Sequence, residues 1–215
     1  MPKNRLYRVL IGVLTGTLIV LAVIGYDVWS EIQAEEQQAG PLAARNTGVG
    51  GPFILVGQDG QPVTDQDFAD QYMLIYFGFT YCPDICPTEL AVMAAAVEQL
   101  AAPQDVAPIF ITIDPERDTP EAMADYVSLF HPRMVGLTGS EAQIAEAARA
   151  YRVFYQRVES AEFEEYLMDH SSFVYLVDPE GVTRLVFPYG TGAEAMAAQI
   201  EEIILEDRSP AGTAL

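Results

Sequence analysis

The chain has 215 residues, half of them hydrophobic, which is enough for one well-buried domain and a terminal segment but not for two ordinary domains. Its formal charge is −20, and residues 30–215 carry 30 acidic side chains against 8 arginines. Nucleic-acid binding needs clustered cations that contact phosphates, so this composition excludes a nucleic-acid partner. An acidic surface is typical of a soluble domain, and it also suits a cationic ion or a basic partner.

The first 29 residues predict a membrane anchor. Three basic side chains among the first eight residues precede an uncharged apolar run at residues 9–25, and the flanking residues extend this run to membrane-spanning length. A cleaved signal peptide is the alternative, but the run is long for one, and Asp27 and Trp29 follow it in place of a small-residue cleavage site. The basic residues predict a cytoplasmic amino terminus, with the remainder outside in an oxidising compartment.

A linker and one domain are predicted to follow. Residues 30–51 lack hydrophobic periodicity and are rich in Ala, Gln and Gly, which is typical of a flexible linker. The predicted domain covers residues 52–207 and leaves a short tail at residues 208–215. It begins with two apolar runs around Asp59 and Gly60, and this pair favours the tight turn of a β-hairpin.

Strands and helices then alternate along the predicted domain. Residues 73–79 form an apolar run that predicts a central strand buried on both faces. Thr119 and Ser140 are the predicted amino-terminal caps of two helices. Further strands are predicted at residues 106–113, 153–158, 173–177 and 183–187, and helices at residues 65–69, between the cysteines and Pro103, and at residues 120–130, 141–151 and 193–205. This order predicts a thioredoxin-like α/β domain, with a central mixed sheet flanked by helices and an N-terminal β-hairpin.

The chain has two cysteines, Cys82 and Cys86, four residues apart at the predicted start of a helix. Side chains four residues apart on a helix are neighbours, so both thiols are expected to face the same way. The helix amino terminus favours the thiolate, most strongly for Cys82. The pair can therefore form a disulfide or chelate a metal ion. A structural disulfide is common in exported domains, but a bridge across so short a loop constrains little, which favours a functional pair.

Copper(I) suits this pair better than zinc. A structural zinc site needs four ligands, and the chain has only two histidines to add to its cysteines. Cuprous copper is soft and accepts fewer ligands, so two thiolates and one imidazole are enough. His170 is the better third ligand, since it precedes the predicted strand at residues 173–177, in a loop that a thioredoxin topology brings beside the cysteines. A surface loop histidine is the alternative for His170, and His131, at a helix end, is expected to be structural.

Four further residues have more than one interpretation. Asp114, Arg117 and Asp118 either support the metal site or form a capped, charged loop. Met168, two residues before His170, is a weaker candidate for a soft ligand.

Four sequence blocks resemble a known family. In chain order they are GFTYCPDICPTEL (78–90), TIDPERDTP (112–120), VGLTGS (135–140) and DHSSFVYLVDPEG (169–181). They resemble the signature blocks of the SCO/SenC family of membrane-anchored, thioredoxin-like copper proteins, over about residues 51–205 and with a similar preceding anchor. The resemblance implies that Cys82, Cys86 and His170 bind copper.

The resemblance also implies a copper metallochaperone that delivers copper to, or helps to assemble, the CuA centre in subunit II of cytochrome c oxidase. The alternative is a thiol-disulfide oxidoreductase, with Cys82 attacking and Cys86 resolving, that reduces the cysteines of that centre or of another periplasmic partner. Expected partners are subunit II, another periplasmic copper chaperone and a thioredoxin-like reductant. The amino terminus lacks an Arg- and Ser-rich transit peptide, which favours a bacterial inner-membrane protein with a periplasmic domain over a mitochondrial one.

Overall fold

The computed structural model describes residues 26, 42–43, 48–159 and 165–209. The chain divides into two compact units, Met1–Gly40 and Pro41–Leu215, and the second contains the sheet and helices that follow. The predicted membrane span at residues 9–25 lies outside the described residues. Over the ranges that are described, no helix is both long enough and apolar enough to cross a bilayer.

A mixed β-sheet forms the centre of the second unit. The described strands are β1 (Leu42–Ala43), β2 (Ile54–Gly57), β3 (Pro62–Thr64), β4 (Tyr72–Gly78), β5 (Val106–Thr112), β6 (Val135–Thr138), β7 (Tyr155–Val158), β8 (Leu167–His170), β9 (Phe173–Val177) and β10 (Thr183–Pro188). Eight of them form one sheet in the order β1-β10-β9-β4-β5-β6-β2-β3, and β7 pairs with β8. β4, β5 and β6 are parallel, whereas the flanking pairs are antiparallel.

The helices lie close to their predicted positions. In the described part of the chain the α-helices are α1 (Ile85–Gln99), α2 (Pro120–Val127), α3 (Glu141–Ala150) and α4 (Ala193–Arg208). Thr119 Oγ1 accepts a hydrogen bond from the Ala122 N–H, and Ser140 forms a capping box with Gln143. Both predicted caps are therefore confirmed.

The apolar run predicted as a central strand is also confirmed. All seven residues of β4 are buried, and the strand lies between β5 and β9. Burial of a large apolar side chain contributes about 1.5–3 kcal/mol, so β4 is a main source of stabilisation. The strand ends at Gly78, and its position fixes where the segment that carries the cysteines begins.

The hairpin at the start of the domain is present, and the sheet extends beyond it. β2 and β3 are antiparallel, and Gly60 occupies the turn with a φ of 78°, which glycine adopts without strain. β1 pairs with β10, and the Gly50 N–H donates to the Ala150 carbonyl at 2.8 Å. The predicted linker at residues 30–51 therefore contributes β1 and a further backbone contact to the folded unit.

His170 was predicted to lie in a loop, and this prediction is wrong. Residues 167–170 form β8, which is antiparallel to β7, and His170 is paired with Tyr155 in the register. The acidic residues that suggested a loop precede the strand, and residues 160–164 lie outside the described ranges. Of the predicted strand at residues 153–158, residues 155–158 form β7 and pair with β8, which explains why this part is extended.

A buried arginine joins α4 to the sheet. Arg184, in β10, is 7% exposed and forms ion pairs with Asp178 and with Asp207 of α4. Tyr72 at the start of β4 donates to the same Asp207 carboxylate at 2.7 Å. The carboxyl-terminal helix is thus linked to both β10 and β4 by charged groups as well as by apolar packing.

Replacing Arg184 with Met is expected to lower the free energy of unfolding by about 3 kcal/mol, because Asp178 would stay buried without its cation. Urea unfolding of the unit Pro41–Leu215 measures this change. Arg149→Met, at an exposed position on α3, is the matched control and should change the midpoint far less. Equal midpoints for the two variants would contradict a stabilising role for the ion pairs of Arg184.

Candidate metal centre

The two cysteines lie where the central strand passes into the first helix. Cys82 is half-buried in the turn between β4 and α1, and Cys86 is buried in the first turn of α1. The predicted position of the pair at the start of a helix is therefore confirmed, with Cys82 in the turn just before the first helical residue. Pro83 disfavours a helical backbone at the residue before it, and Asp84 occupies the N-cap position of α1 without a capping hydrogen bond from its side chain.

The two thiols differ in protonation. The Cys86 N–H donates to Cys82 Sγ at 3.4 Å. A hydrogen bond from the Cys86 side chain, opposed by burial and reinforced by that N–H, lowers the pKa of Cys82 to about 4. The hydrogen bond to Cys82 and burial raise the pKa of Cys86 above its usual range. Near neutral pH, Cys82 is therefore the thiolate and Cys86 keeps its proton, in line with the predicted preference for a Cys82 thiolate.

The structure brings His170 to the cysteines. His170 Nε2 lies 3.5 Å from Cys86 Sγ, and Nδ1 lies 3.0 Å from the Ser171 carbonyl oxygen. A carbonyl only accepts, so Nδ1 carries the proton in the neutral ring and Nε2 keeps its lone pair, the form that can bind a metal ion. The ring also makes edge contacts with Phe79 and Tyr76, at centroid distances of 6.0 and 6.1 Å. These contacts orient it towards the sulfur.

The donor set fits copper, although it is not closed around an ion. Among the described residues, no group of three or more His, Cys, Asp and Glu side chains is already arranged to hold a metal ion. Metal bonds of about 2.0 Å to nitrogen and 2.3 Å to sulfur separate two donors on one ion by roughly 3.5 Å. Cys86 Sγ and His170 Nε2 already have this separation. Two soft sulfurs and an imidazole are ligands that copper prefers.

Gly78 allows Cys86 to pack against the end of β4. A β-carbon at this position would lie 2.7 Å from Cys86 Sγ and 2.9 Å from Phe110 Cε2, closer than real contacts. Tyr76, two residues earlier, donates its hydroxyl to Cys86 Sγ at 3.8 Å. Neither Gly78 nor Tyr76 was predicted to belong to the site. The signal that was available is a glycine at the end of a strand, a position where another atom often approaches the backbone closely.

Asp118 fixes the segment just before the cysteines. Its carboxylate accepts hydrogen bonds from the Thr80 N–H at 3.0 Å, from Thr80 Oγ1 at 2.6 Å and from Thr112 Oγ1 at 2.6 Å. The side chain is fully buried, and burial raises its pKa. Asp118 was expected either to support the metal site or to belong to a capped, charged loop, and the structure favours the first of these roles.

Asp114 and Arg117 connect the same loop to β8. Arg117 Nε donates to Asp114 at 2.5 Å, and its Nη1 donates to the Tyr166 carbonyl at 2.9 Å. The Tyr166 hydroxyl donates to Asp114 at 2.8 Å. The guanidinium also lies over the Tyr166 ring, 3.6 Å from its centroid, in a cation–π contact. Because β8 begins at the next residue, these contacts hold the strand that carries His170.

Glu89 is a buried residue near the site that sequence analysis did not single out. It lies one turn after Cys86 in α1 and is 2% exposed. One carboxylate oxygen accepts from the Gly190 N–H at 3.5 Å, and the other has no hydrogen-bond partner among the described residues. Burial raises the pKa of Glu89. Its contact with Gly190 links α1 to the loop after β10.

The other histidine and Met168 lie in different surroundings. His131 is buried, its Nδ1 accepts from the Arg133 N–H at 3.1 Å, and burial lowers its pKa, so its predicted structural role is confirmed. Met168 lines a cavity of about 580 Å³ together with Ile113 and Tyr155. A role for Met168 as a ligand stays a prediction.

The strand order, together with a cysteine pair where the central strand meets α1, defines a thioredoxin-like protein. The SCO1/SenC family model matches residues 42–205, and the chain belongs to that family. The chain is 42% identical over 198 residues to the mouse mitochondrial protein SCO2 homolog, covering 87% of this chain and 78% of the mouse protein.

Two solved structures add information on copper and on disulfides. Arabidopsis thaliana ScoI with copper bound has a TM-score of 0.70 and 40% identity, over 74% of this chain and 99% of that chain. BsSco, described as a member of the Sco family of cytochrome c oxidase assembly proteins with a disulfide switch, has a TM-score of 0.56 and 26% identity. That match covers 77% of this chain and 96% of BsSco.

The low pKa of Cys82 predicts selective alkylation in weakly acidic solution. Iodoacetamide reacts with thiolates, so at pH 6 it should modify Cys82 and spare Cys86, as mass spectrometry of the digested protein would show. The Cys86→Ala variant loses the hydrogen bond that lowers the pKa, and its rate–pH profile should move to higher pH by more than about one unit. Comparable modification of both cysteines at pH 6 would contradict the lower pKa of Cys82.

Proposed function

We propose that this protein is a copper metallochaperone that delivers copper to, or helps to assemble, the CuA centre in subunit II of cytochrome c oxidase. The approach of His170 Nε2 to Cys86 Sγ, at 3.5 Å, is the observation that carries the proposal. A dithiol enzyme has no need of an imidazole beside its buried sulfur, whereas a copper ion takes one as a third ligand. The copper-bound Arabidopsis relative supports the same metal.

Each of the three side chains has a distinct role in binding the copper ion. Cys82 is a half-buried thiolate, and it offers the first sulfur to an arriving ion. Cys86 then loses its proton to become the second thiolate, and His170 Nε2 supplies the third donor. Transfer to the acceptor also begins at Cys82, because an incoming thiolate or imidazole can reach this half-buried position before the buried Cys86.

The proposed location and partners follow from the amino terminus and the chemistry. The basic residues and the apolar run at residues 9–25 support a single-pass anchor in a bacterial inner membrane, with the copper-binding domain in the periplasm. Subunit II is then the acceptor, and another periplasmic copper chaperone is the donor. A thioredoxin-like reductant keeps the cysteines reduced in that compartment.

Removal of His170 tests the three-ligand site. The His170→Ala variant is expected to bind copper(I) at least about tenfold more weakly than the parent, measured by competition with a chromophoric chelator under reducing conditions. Cys82→Ser and Cys86→Ser should lose most of the binding. His131→Gln, at the other histidine, is the matched control and should retain the parental affinity. If His170→Ala lowers the copper(I) affinity by less than tenfold, His170 is not a copper ligand.

A second candidate function is thiol-disulfide exchange, which the unequal pKa values of the two cysteines favour. The Cys82 thiolate attacks a partner disulfide, forms a mixed disulfide and releases one partner thiolate. Cys86 then attacks Cys82, so the partner leaves fully reduced and this protein is left with a Cys82–Cys86 disulfide. The thioredoxin-like reductant supplies the two electrons that restore the pair. The disulfide switch described for BsSco supports this alternative.

Cellular complementation distinguishes the two functions. In a strain that lacks this protein, the copper function predicts that His170→Ala restores far less cytochrome c oxidase activity than the parent, as Cys82→Ser and Cys86→Ser also do. Thiol-disulfide exchange predicts full activity for His170→Ala and loss only in the cysteine variants. Immunoblots that show equal amounts of each variant are the control.

A further inference from the structure

A shallow groove lies beside the cysteine turn. It has a volume of about 450 Å³ and is lined by Thr80, Tyr81, Ala122, Asp125, Tyr126 and Leu129. Thr80 and Tyr81 directly precede Cys82, and the other residues belong to α2 or follow it closely. We call this feature the turn-side groove. Two of its lining residues directly precede Cys82, so the groove lies at the turn that carries this cysteine.

The walls of the turn-side groove are apolar and open to solvent. Leu129 is 77% exposed and Tyr81 is 56% exposed, although both have large apolar side chains. Exposed apolar side chains that line one depression are typical of a surface that binds a partner. Asp125 is also exposed and adds a negative charge to the lining.

Tyr126 adds a polar group that lacks a partner. Its ring packs against Phe110 and Phe130, at centroid distances of 5.6 and 5.1 Å, which fixes the position of the side chain. Its hydroxyl oxygen is buried and has no hydrogen-bond partner within the described ranges. Because the hydroxyl is buried, a bound segment contacts the Tyr126 ring, which gives the groove an aromatic wall of fixed position.

We propose that the turn-side groove binds an extended, cysteine-bearing segment of the protein with which Cys82 exchanges copper or a disulfide. The proposal rests on the proposed function in either of its two forms. An apolar or aromatic side chain of the segment packs between Tyr81 and Leu129, and a Lys or Arg pairs with Asp125.

Two properties of the chain select this occupant. Cys82 is half-buried and Cys86 is buried, so the sulfur of the partner has to arrive on a narrow segment rather than on a flat surface. The region after the predicted anchor carries 30 acidic residues against 8 arginines, so it attracts a cationic segment and repels an acidic one. An apolar and cationic sequence next to a cysteine meets both requirements.

Matched peptide disulfides test the proposal in the reduced, copper-free full chain. Two short synthetic peptides each have one cysteine, activated as a disulfide with 2-nitro-5-thiobenzoate. One carries Phe and Lys just before the cysteine, and the other carries Ser and Glu there. Attack by the Cys82 thiolate forms a Cys82–peptide disulfide and releases the yellow thiolate, which takes the electron pair and reports the rate.

The parental chain is expected to react about tenfold faster with the Phe-Lys peptide than with the Ser-Glu peptide. Leu129→Ser removes a wall of the groove and should reduce this preference to less than about threefold. Leu205→Ser, at another exposed leucine on α4 (65% exposed), is the matched control and should keep the parental preference. Dividing each rate by the rate with a small aromatic disulfide corrects for changes in thiolate reactivity.

Two results would overturn the groove as a binding surface: equal rates for both peptides with the parental chain, or a full preference retained in Leu129→Ser. Neither result bears on the copper titration of His170→Ala, so the two proposals fail separately. A peptide preference in a chain that binds no copper would assign the groove to disulfide exchange alone.

Discussion

The buried carboxylate of Asp118 is the interaction on which the geometry of the site depends. It accepts three hydrogen bonds from Thr80 and Thr112, while its own backbone carbonyl accepts one from Thr138 at 2.7 Å. These partners follow β4 or end β5 and β6, so one residue joins three neighbouring strands at their carboxyl ends. Loss of the carboxylate would leave several buried donors without a partner, which costs more than the loss of an exposed contact.

The same short loop determines where the imidazole lies. Asp114 and Arg117 contact Tyr166 through its carbonyl, hydroxyl and ring, and β8 then carries His170 to Cys86. The donors come from segments that are far apart in the chain, yet both segments are hydrogen-bonded to residues 114–118. The loop at residues 114–118 therefore fixes the two segments relative to each other, although no three donors among the described residues are yet arranged to hold a metal ion.

Sequence patterns identified most of the fold because they report local energetics. The apolar run in β4, the caps at Thr119 and Ser140 and the turn at Gly60 depend on neighbours within a few residues. The patterns failed where distant contacts decide the conformation. β8 is extended because β7 offers it backbone partners, whereas the acidic composition of the segment before it indicated a loop.

The sequence likewise predicted some features of the candidate site, while others depend on the folded structure. Its three proposed ligands were visible in the sequence because the chain has only two cysteines and two histidines. The space that Gly78 leaves for Cys86 and the orientation of His170 by Ser171 depend on atoms brought together by folding. The cysteine pair holds a single proton near neutral pH, on Cys86. In the proposed site, binding of copper by both sulfurs would expel the proton of Cys86, so acidity of the compartment would favour release of the ion.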